Sequence, residues 1–271
     1  MSDNRAIGIF DSGLGGLTVA KEIMELLPDE NIVYFGDTGR VPYGTRSAET
    51  IRKYALQDEK FLLSKDVKII VAACGTVSSV ASDTAKQLPV PFVEVISHSV
   101  EDALLCTENK RVGVLATAAT IGSHTHKKLL QKEANVTVTE NAATLLVPLV
   151  EEGWTAIDDD VVLETVRRYL KPMTDNKVDT VILGCTHFPV LQSAMQKVMG
   201  DGVTFINMGK SAAKAVKKLL CDSDKLCDKG NKSKRSYYVS DKTASFGKTA
   251  SVLLGEEFCD KDVEQVDINL L

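Results

Sequence analysis

Short apolar runs rich in Val and Ile recur along this chain: AIGIF (6–10), NIVYFG (31–36), VKIIVAAC (67–74), PFVEVI (91–96), RVGVLAT (111–117), VDTVILGC (178–185) and VTFINM (203–208). NVTVTEN (135–141) is a more polar run of the same length class. Runs without polar alternation suit strands buried on both faces, and such strands need helices above and below them, as in a parallel sheet. The intervening stretches 17–27, 47–65, 78–88, 99–107, 123–132, 158–173 and 190–199 carry apolar residues at helical spacing. The helix predicted at 158–173 opens with Asp158, Asp159 and Asp160, which suit the positive end of its dipole. Strand and helix alternate, so the expected class is α/β. The polar segment 221–236 reads as an exposed loop, and YYVSD after it as one more strand.

The pattern runs once to about residue 97 and then restarts. A domain takes roughly 100–200 residues, so 271 residues favour two comparable lobes. A hydrophobic content of 44% and a charged content of 25% place the chain among soluble globular proteins. The formal net charge of −5 argues against nucleic acid or an anionic membrane surface as partner. No apolar run reaches the roughly 18 residues of a membrane span, and MSDNR opens nothing like a signal peptide. The six cysteines are therefore expected as reduced thiols in a cytoplasm, without disulfides. No C-x-x-C occurs, and Cys185 with His187 lacks a second ligand pair at metal spacing, so no metal is expected.

Two of the apolar runs end alike. VAACGT (71–76) and LGCTH (183–187) each place a cysteine just beyond an apolar run, 111 residues apart. Ligands of open α/β sheets bind beyond the carboxyl ends of the strands, so two facing lobes would bring Cys74 and Cys185 to opposite walls of one cleft. Two opposed thiols suit inversion at a carbon stereocentre: one takes a proton from one face and the other returns a proton to the opposite face. A free thiol pKa near ~8.5 fits either role. The competing reading is that each cysteine packs as a small hydrophobe, the commonest fate of a free thiol. FDSGLGG (10–16) follows a strand and opens a helix, and its glycines let backbone amides approach an anion, or simply make a tight turn. GRVPYG (39–44) reads as a turn or as a set of amides for a carboxylate, and Glu151 and Glu152 read as solvated charges or as site groups.

Read together, IGIFDSGLGGLTV (7–19), YFGDTGRVPYG (34–44), VAACGTVSS (71–79), VGVLATAATIGS (112–123), VPLVEEG (147–153) and ILGCTHFPVL (182–191) resemble the cofactor-independent glutamate racemases of the aspartate/glutamate racemase superfamily. A weaker likeness continues through YYVSDKTASFG to LLGEEF. The resemblance implies two flavodoxin-like lobes with parallel sheets related by pseudo-twofold symmetry: residues 1–97 with 208–271, and residues 98–207, with the site between them. It implies Cys74 and Cys185 as the acid/base pair, Asp11 beside Cys74, and Glu151 and His187 on the Cys185 side. Asp11, Ser12, Pro42, Tyr43, Gly44, Gly75, Thr76, Thr117, Thr120, Thr186 and His187 would hold the substrate. It implies no metal or pyridoxal phosphate, a homodimer, and D-glutamate made for peptidoglycan. His187 favours glutamate, because the similar aspartate racemases usually carry glutamate after Cys-Thr.

The chain departs from the pattern at three places. Gly75 stands where the family typically has Asn, His98-Ser99 where it often has Pro-Gly, and Asn207-Met208 where it has Asp-Ser. A missing side chain at Gly75 is expected to enlarge the pocket beside Cys74. It leaves two alternatives open, a racemase of another amino acid and a non-catalytic glutamate-binding or regulatory relative.

Overall fold

The computed structural model describes residues 2–270. The chain runs β1 (Ile7–Asp11), α1 (Leu17–Leu26), β2 (Ile32–Gly36), α2 (Ala48–Ser64), β3 (Ile69–Ala72), α3 (Gly75–Val80), β4 (Phe92–Glu94) and α4 (Val95–Cys106). It continues through β5 (Arg111–Ala116), α5 (Ala118–Ser123), α6 (Thr125–Glu133), β6 (Thr137–Ala142), α7 (Leu146–Glu151), α8 (Asp160–Asp175), β7 (Thr180–Gly184), α9 (Gln192–Met199) and β8 (Thr204–Asn207). It closes with α10 (Met208–Asp222), β9 (Arg235–Val239), α11 (Phe246–Leu254) and β10 (Val263–Gln265). The strands form two sheets, β10-β9-β2-β1-β3-β4 and β6-β5-β7-β8, parallel throughout.

The inner order β2-β1-β3-β4 of the first sheet repeats as β6-β5-β7-β8 in the second. In each sheet the first strand of its half pairs with the second and the third: Phe10 lies opposite Phe35 and Ala72, and Ala116 opposite Ala142 and Gly184. Cys74 and Cys185 thus follow topologically equivalent strands, β3 and β7. The α/β class and the two parallel-sheet lobes match the expectation. The expected division at 97/98 falls inside α4, and that at 207/208 between β8 and α10.

Helices α4 and α10 carry the chain between the sheets and pack on each other, with α10 also lying along α1. The buried face of α10 is Met208, Ala212, Ala213, Val216 and Leu220, one stripe at helical spacing. Its start is fixed by Asn207, whose Oδ1 accepts from the Gly209 amide at 2.8 Å and the Lys210 amide at 3.4 Å. One continuous apolar core includes Ile9 and Val71 of the first sheet and Val114 and Ile182 of the second, so the lobes share an interior. The outer face of the first sheet is covered by α2, through Ile51, Ala55, Phe61 and Leu62.

Some predicted elements differ. The stretch 78–88 is two pieces, α3 ending at Val80 and a 3-10 turn Ser82–Gln87, because Ala81 leaves helical geometry at φ −131°. The strand expected at 91–96 is only Phe92–Glu94, since the Glu94 carboxylate accepts from the Ile96 and Ser97 amides and starts α4 there. The helix expected at 123–132 is α6, and His124, at φ +54°, separates it from the short α5 that precedes it. Among the described residues no helix is long and apolar enough to cross a membrane.

Candidate active site

The carboxyl end of β1 delivers Asp11 and then the turn Ser12–Gly16. Asp11 is buried; its Oδ2 accepts from the Gly13 amide at 2.8 Å, and its Oδ1 has no partner. Burial pushes the Asp11 carboxyl above its ordinary range, against the pull of the Gly13 amide. The Tyr34 hydroxyl pins the turn by donating to the Gly13 carbonyl at 2.9 Å. Gly15 is required by close approach: a Cβ there would lie 2.1 Å from Thr186 Oγ1 and 2.6 Å from the His187 ring. Thr18 Oγ1 adds a 2.7 Å bond to the Thr186 carbonyl, so the first lobe's glycine turn is seated directly on the second lobe's cysteine segment.

Beyond β3, Cys74 occupies the residue before α3. Its Sγ donates to Ser12 Oγ at 3.3 Å. Burial, followed by the charge of Asp11, pushes the Cys74 thiol up to about 12, while the Ser12 hydroxyl pulls the other way. Thr76 Oγ1 and Thr117 Oγ1 meet at 3.5 Å across the two lobes, and Thr117 Oγ1 donates to Thr120 Oγ1 at 3.0 Å.

Beyond β7, Cys185 Sγ lies 3.8 Å from His187 Nδ1, and His187 Nε2 lies 3.1 Å from Glu151 Oε1 at the end of α7. Burial disfavours the imidazolium, but the hydrogen bonds to Cys185 and Glu151 and the charges of both outweigh it and push His187 up to about 10. His187 thus bridges Cys185 and Glu151, placed to pass a proton to the sulfur. The two thiols differ in setting: Cys74 sits beside the Asp11 carboxyl, Cys185 beside the His187 imidazole.

Both thiols line one cavity of about 480 Å³ between the lobes. Asp11, Ser12, Gly75 and Thr76 form its wall on the first lobe, with the loop residues Pro42, Tyr43 and Gly44. Thr117, Thr120, Glu151, Cys185, Thr186 and His187 face it from the second. The residues that the resemblance assigns to the site thus meet at one place, whereas Glu152 is exposed and does not line the cavity. Sequence reasoning missed Thr144, Val147 and Pro148, which close one side through α7 and the turn before it. LLVPLV carries no polar signal, and its six-residue helix is too short to show a helical period. A cavity of about 680 Å³ along β9 and β10 is larger, but no comparable set of thiol, imidazole and carboxyl groups converges on it. Among the described residues no group of three or more His, Cys, Asp or Glu side chains is arranged to hold a metal ion.

Gly75 does not open the pocket as its missing side chain suggested. A Cβ there would lie 2.8 Å from the Gly184 carbonyl oxygen and 3.5 Å from Met208 Cε. The bare backbone instead lets the start of α3 close on the end of β7, and Met208, one of the other departures, packs beside it. Ser99 is buried in α4 with its hydroxyl donating to the Ile96 carbonyl at 2.7 Å. Asn207 donates from Nδ2 to Glu22 Oε1 at 2.9 Å while capping α10.

The Asp/Glu/Hydantoin racemase family model matches residues 11–216. A glutamate racemase of Geobacter metallireducens is 41% identical over 97% of this chain and 97% of its own length. The crystal structure of glutamate racemase from Francisella tularensis in complex with D-glutamate superposes with a TM-score of 0.89 at 35% identity, covering 99% of this chain and 100% of that one. A glutamate racemase isoform from Bacillus anthracis gives 0.91 at 33% identity over 98% of both chains.

Proposed function

Because this chain belongs to the Asp/Glu/Hydantoin racemase family and matches glutamate racemases over nearly its whole length, we propose that it interconverts L- and D-glutamate, with Cys74 and Cys185 as the two proton carriers. The observation that carries the reading is the presence of both thiols on one cavity, at the ends of equivalent strands. A thiolate on one side removes the Cα proton, and the thiol on the other side delivers a proton to the opposite face. Bond making and breaking balance without an electron acceptor: one C–H and one S–H break, and one of each forms. After turnover the thiol and the thiolate have exchanged places, ready for the reverse reaction.

Asp11 serves the Cys74 side, and His187 with Glu151 serves the Cys185 side, where the imidazolium holds a proton within hydrogen-bond range of the sulfur. The hydroxyls of Ser12, Thr76, Thr117, Thr120 and Thr186, together with the Pro42–Gly44 backbone and the Gly75 amide, hold the carboxylates and ammonium of the substrate. Held in place by the fold, these dipoles stabilise the carbanion without having to reorganise as solvent would. The D-glutamate so made supplies peptidoglycan in the cytoplasm, and the working unit is a homodimer.

The test is isotope exchange. Incubated with L- or D-glutamate in D₂O, the protein should replace the Cα proton by deuterium, read by proton NMR, with loss of optical rotation. Absence of exchange with every common amino acid would sink the enzyme reading, and tight glutamate binding without exchange would select the non-catalytic alternative.

A further inference from the structure

Tyr43 lines the cavity, yet its hydroxyl is turned away into a buried polar cluster. The hydroxyl makes a short hydrogen bond to Asp37 Oδ2 and lies 3.1 Å from Asp58 Oδ2. Arg40 reaches both carboxyl groups, from Nε to Asp37 Oδ2 at 2.5 Å and from a terminal nitrogen to Asp58 Oδ1 at 3.0 Å. Its other terminal nitrogen donates to Gln57 Oε1 at 2.6 Å. Ser240, on the segment that follows β9, donates to Asp37 Oδ1 at 2.7 Å. Both carboxyl side chains are fully buried.

The proton inventory of this cluster closes when one of the two carboxyl groups is neutral, and the three donors crowding Asp37 make Asp58 the better place for that proton. A phenol has one hydrogen, but the Tyr43 oxygen lies against two carboxyl oxygens. Asp37 has both of its oxygens engaged by donors, from Arg40, Tyr43 and Ser240, and acts purely as an acceptor. If Asp58 were also ionised, its Oδ2 would face a Tyr43 lone pair, and two buried negative charges would share one guanidinium. Uncompensated buried charge is disfavoured by several kcal/mol or more, so the second carboxyl is kept neutral instead.

We propose that Asp58 is a protonated carboxylic acid that donates through Oδ2 to the Tyr43 oxygen while Oδ1 accepts from Arg40, and that in this form it is the positioning residue for the Pro42–Gly44 wall of the site. The proposal rests on the racemase reading for its consequence on substrate, not for the protonation itself. The titratable groups around Asp58 are Asp37, Arg40, Tyr43 and the adjacent Glu59, and burial followed by the charge of Asp37 raises its pKa.

Two measurements on the full chain decide it. The infrared spectrum of the wild type at neutral pH should contain the carbonyl stretch of a protonated acid, shifted in D₂O and missing from Asp58→Asn. In kinetics, Asp58→Leu, which strips both contacts, should raise KM for glutamate about tenfold with kcat changed much less. Asp58→Asn, an uncharged mimic with a donor on one side and an acceptor on the other, should restore KM. A KM for Asp58→Asn as high as for Asp58→Leu, or an unchanged carbonyl band in Asp58→Asn, would overturn the proposal. If Asp58→Leu does not fold, the band and the Asp58→Asn KM still decide. If the wild type does not racemise glutamate, the functional reading falls while the infrared arm still decides the proton.

Discussion

Replacing Gly75 with alanine places a Cβ 2.8 Å from the Gly184 carbonyl oxygen. The obstacle is backbone at the end of a central strand and cannot rotate aside. Two effects compete. Alanine restricts the unfolded chain, which stabilises by about 0.4–1 kcal/mol where the backbone conformation allows it, and Gly75 is not in the left-handed region. Overpacking a tight contact costs about 1–3 kcal/mol. The cost should win, leaving a net loss of about 1–2 kcal/mol in urea unfolding followed by circular dichroism. The only relief is to part α3 from β7, the two segments next to Cys74 and Cys185, so Cα exchange in D₂O should slow about tenfold as the thiols lose their spacing. Asparagine carries the same Cβ and more bulk beside Met208, so Gly75→Asn should also lower activity, although it restores the residue typical of the relatives. If either variant is as stable as the wild type and exchanges as fast or faster, the contact is soft and the account of Gly75 is wrong.

Three other outcomes are expected. Cys74→Ser and Cys185→Ser should each reduce racemisation by roughly 10²–10⁴-fold, the usual worth of a general acid or base; full racemisation by either mutant would exclude the two-thiol scheme. His187 has its pKa raised from 6.5 to about 10 in the folded chain, so its stabilising contribution is complete below the lower value and is lost as pH rises through the higher one. Unfolding free energy measured across that window should fall less steeply in His187→Asn; Cys74 titrates alike in both proteins, so identical slopes would refute the assignment. Lys68 and Glu30 form a fully buried ion pair at 2.5 Å, and Lys68→Met should destabilise by about 3–5 kcal/mol because Glu30 is left uncompensated; a loss under about 1 kcal/mol would show that Glu30 takes up a proton at little cost.

The parallel sheets were legible because β-branched runs such as VKIIVAAC and VDTVILGC admit few other placements, and because the two cysteine endings repeat. Helix α10 was not, since its buried stripe includes Ser211, Ala212 and Ala213, too small to stand out as apolar periodicity. Strand β10 has three residues, two of them polar, and exists because β9 offers it an edge. The shared core could not be read locally, because α1 and α10 meet across most of the chain length. The Asp58 cluster was readable in principle. Ile51, Ala55, Asp58 and Leu62 stand on one helical face, so a carboxyl interrupts an apolar stripe, yet a lone charge in a polar helix passes as solvated unless its register is checked. Gly75 shows the opposite limit: a missing side chain suggests space, and only the packing reveals that backbone fills it.

The first sheet places β2 between β1 and β9, so strands made nearly two hundred residues apart lie side by side. As the polypeptide emerges from the ribosome, the free edge of Ile32–Gly36 has no neighbour until Arg235–Val239 has been synthesised. By then the whole of the second sheet is out and able to assemble. Pairing of that edge therefore waits for β9, and chains cut short before β9 are left with a bare, sticky strand margin rather than a smaller working protein.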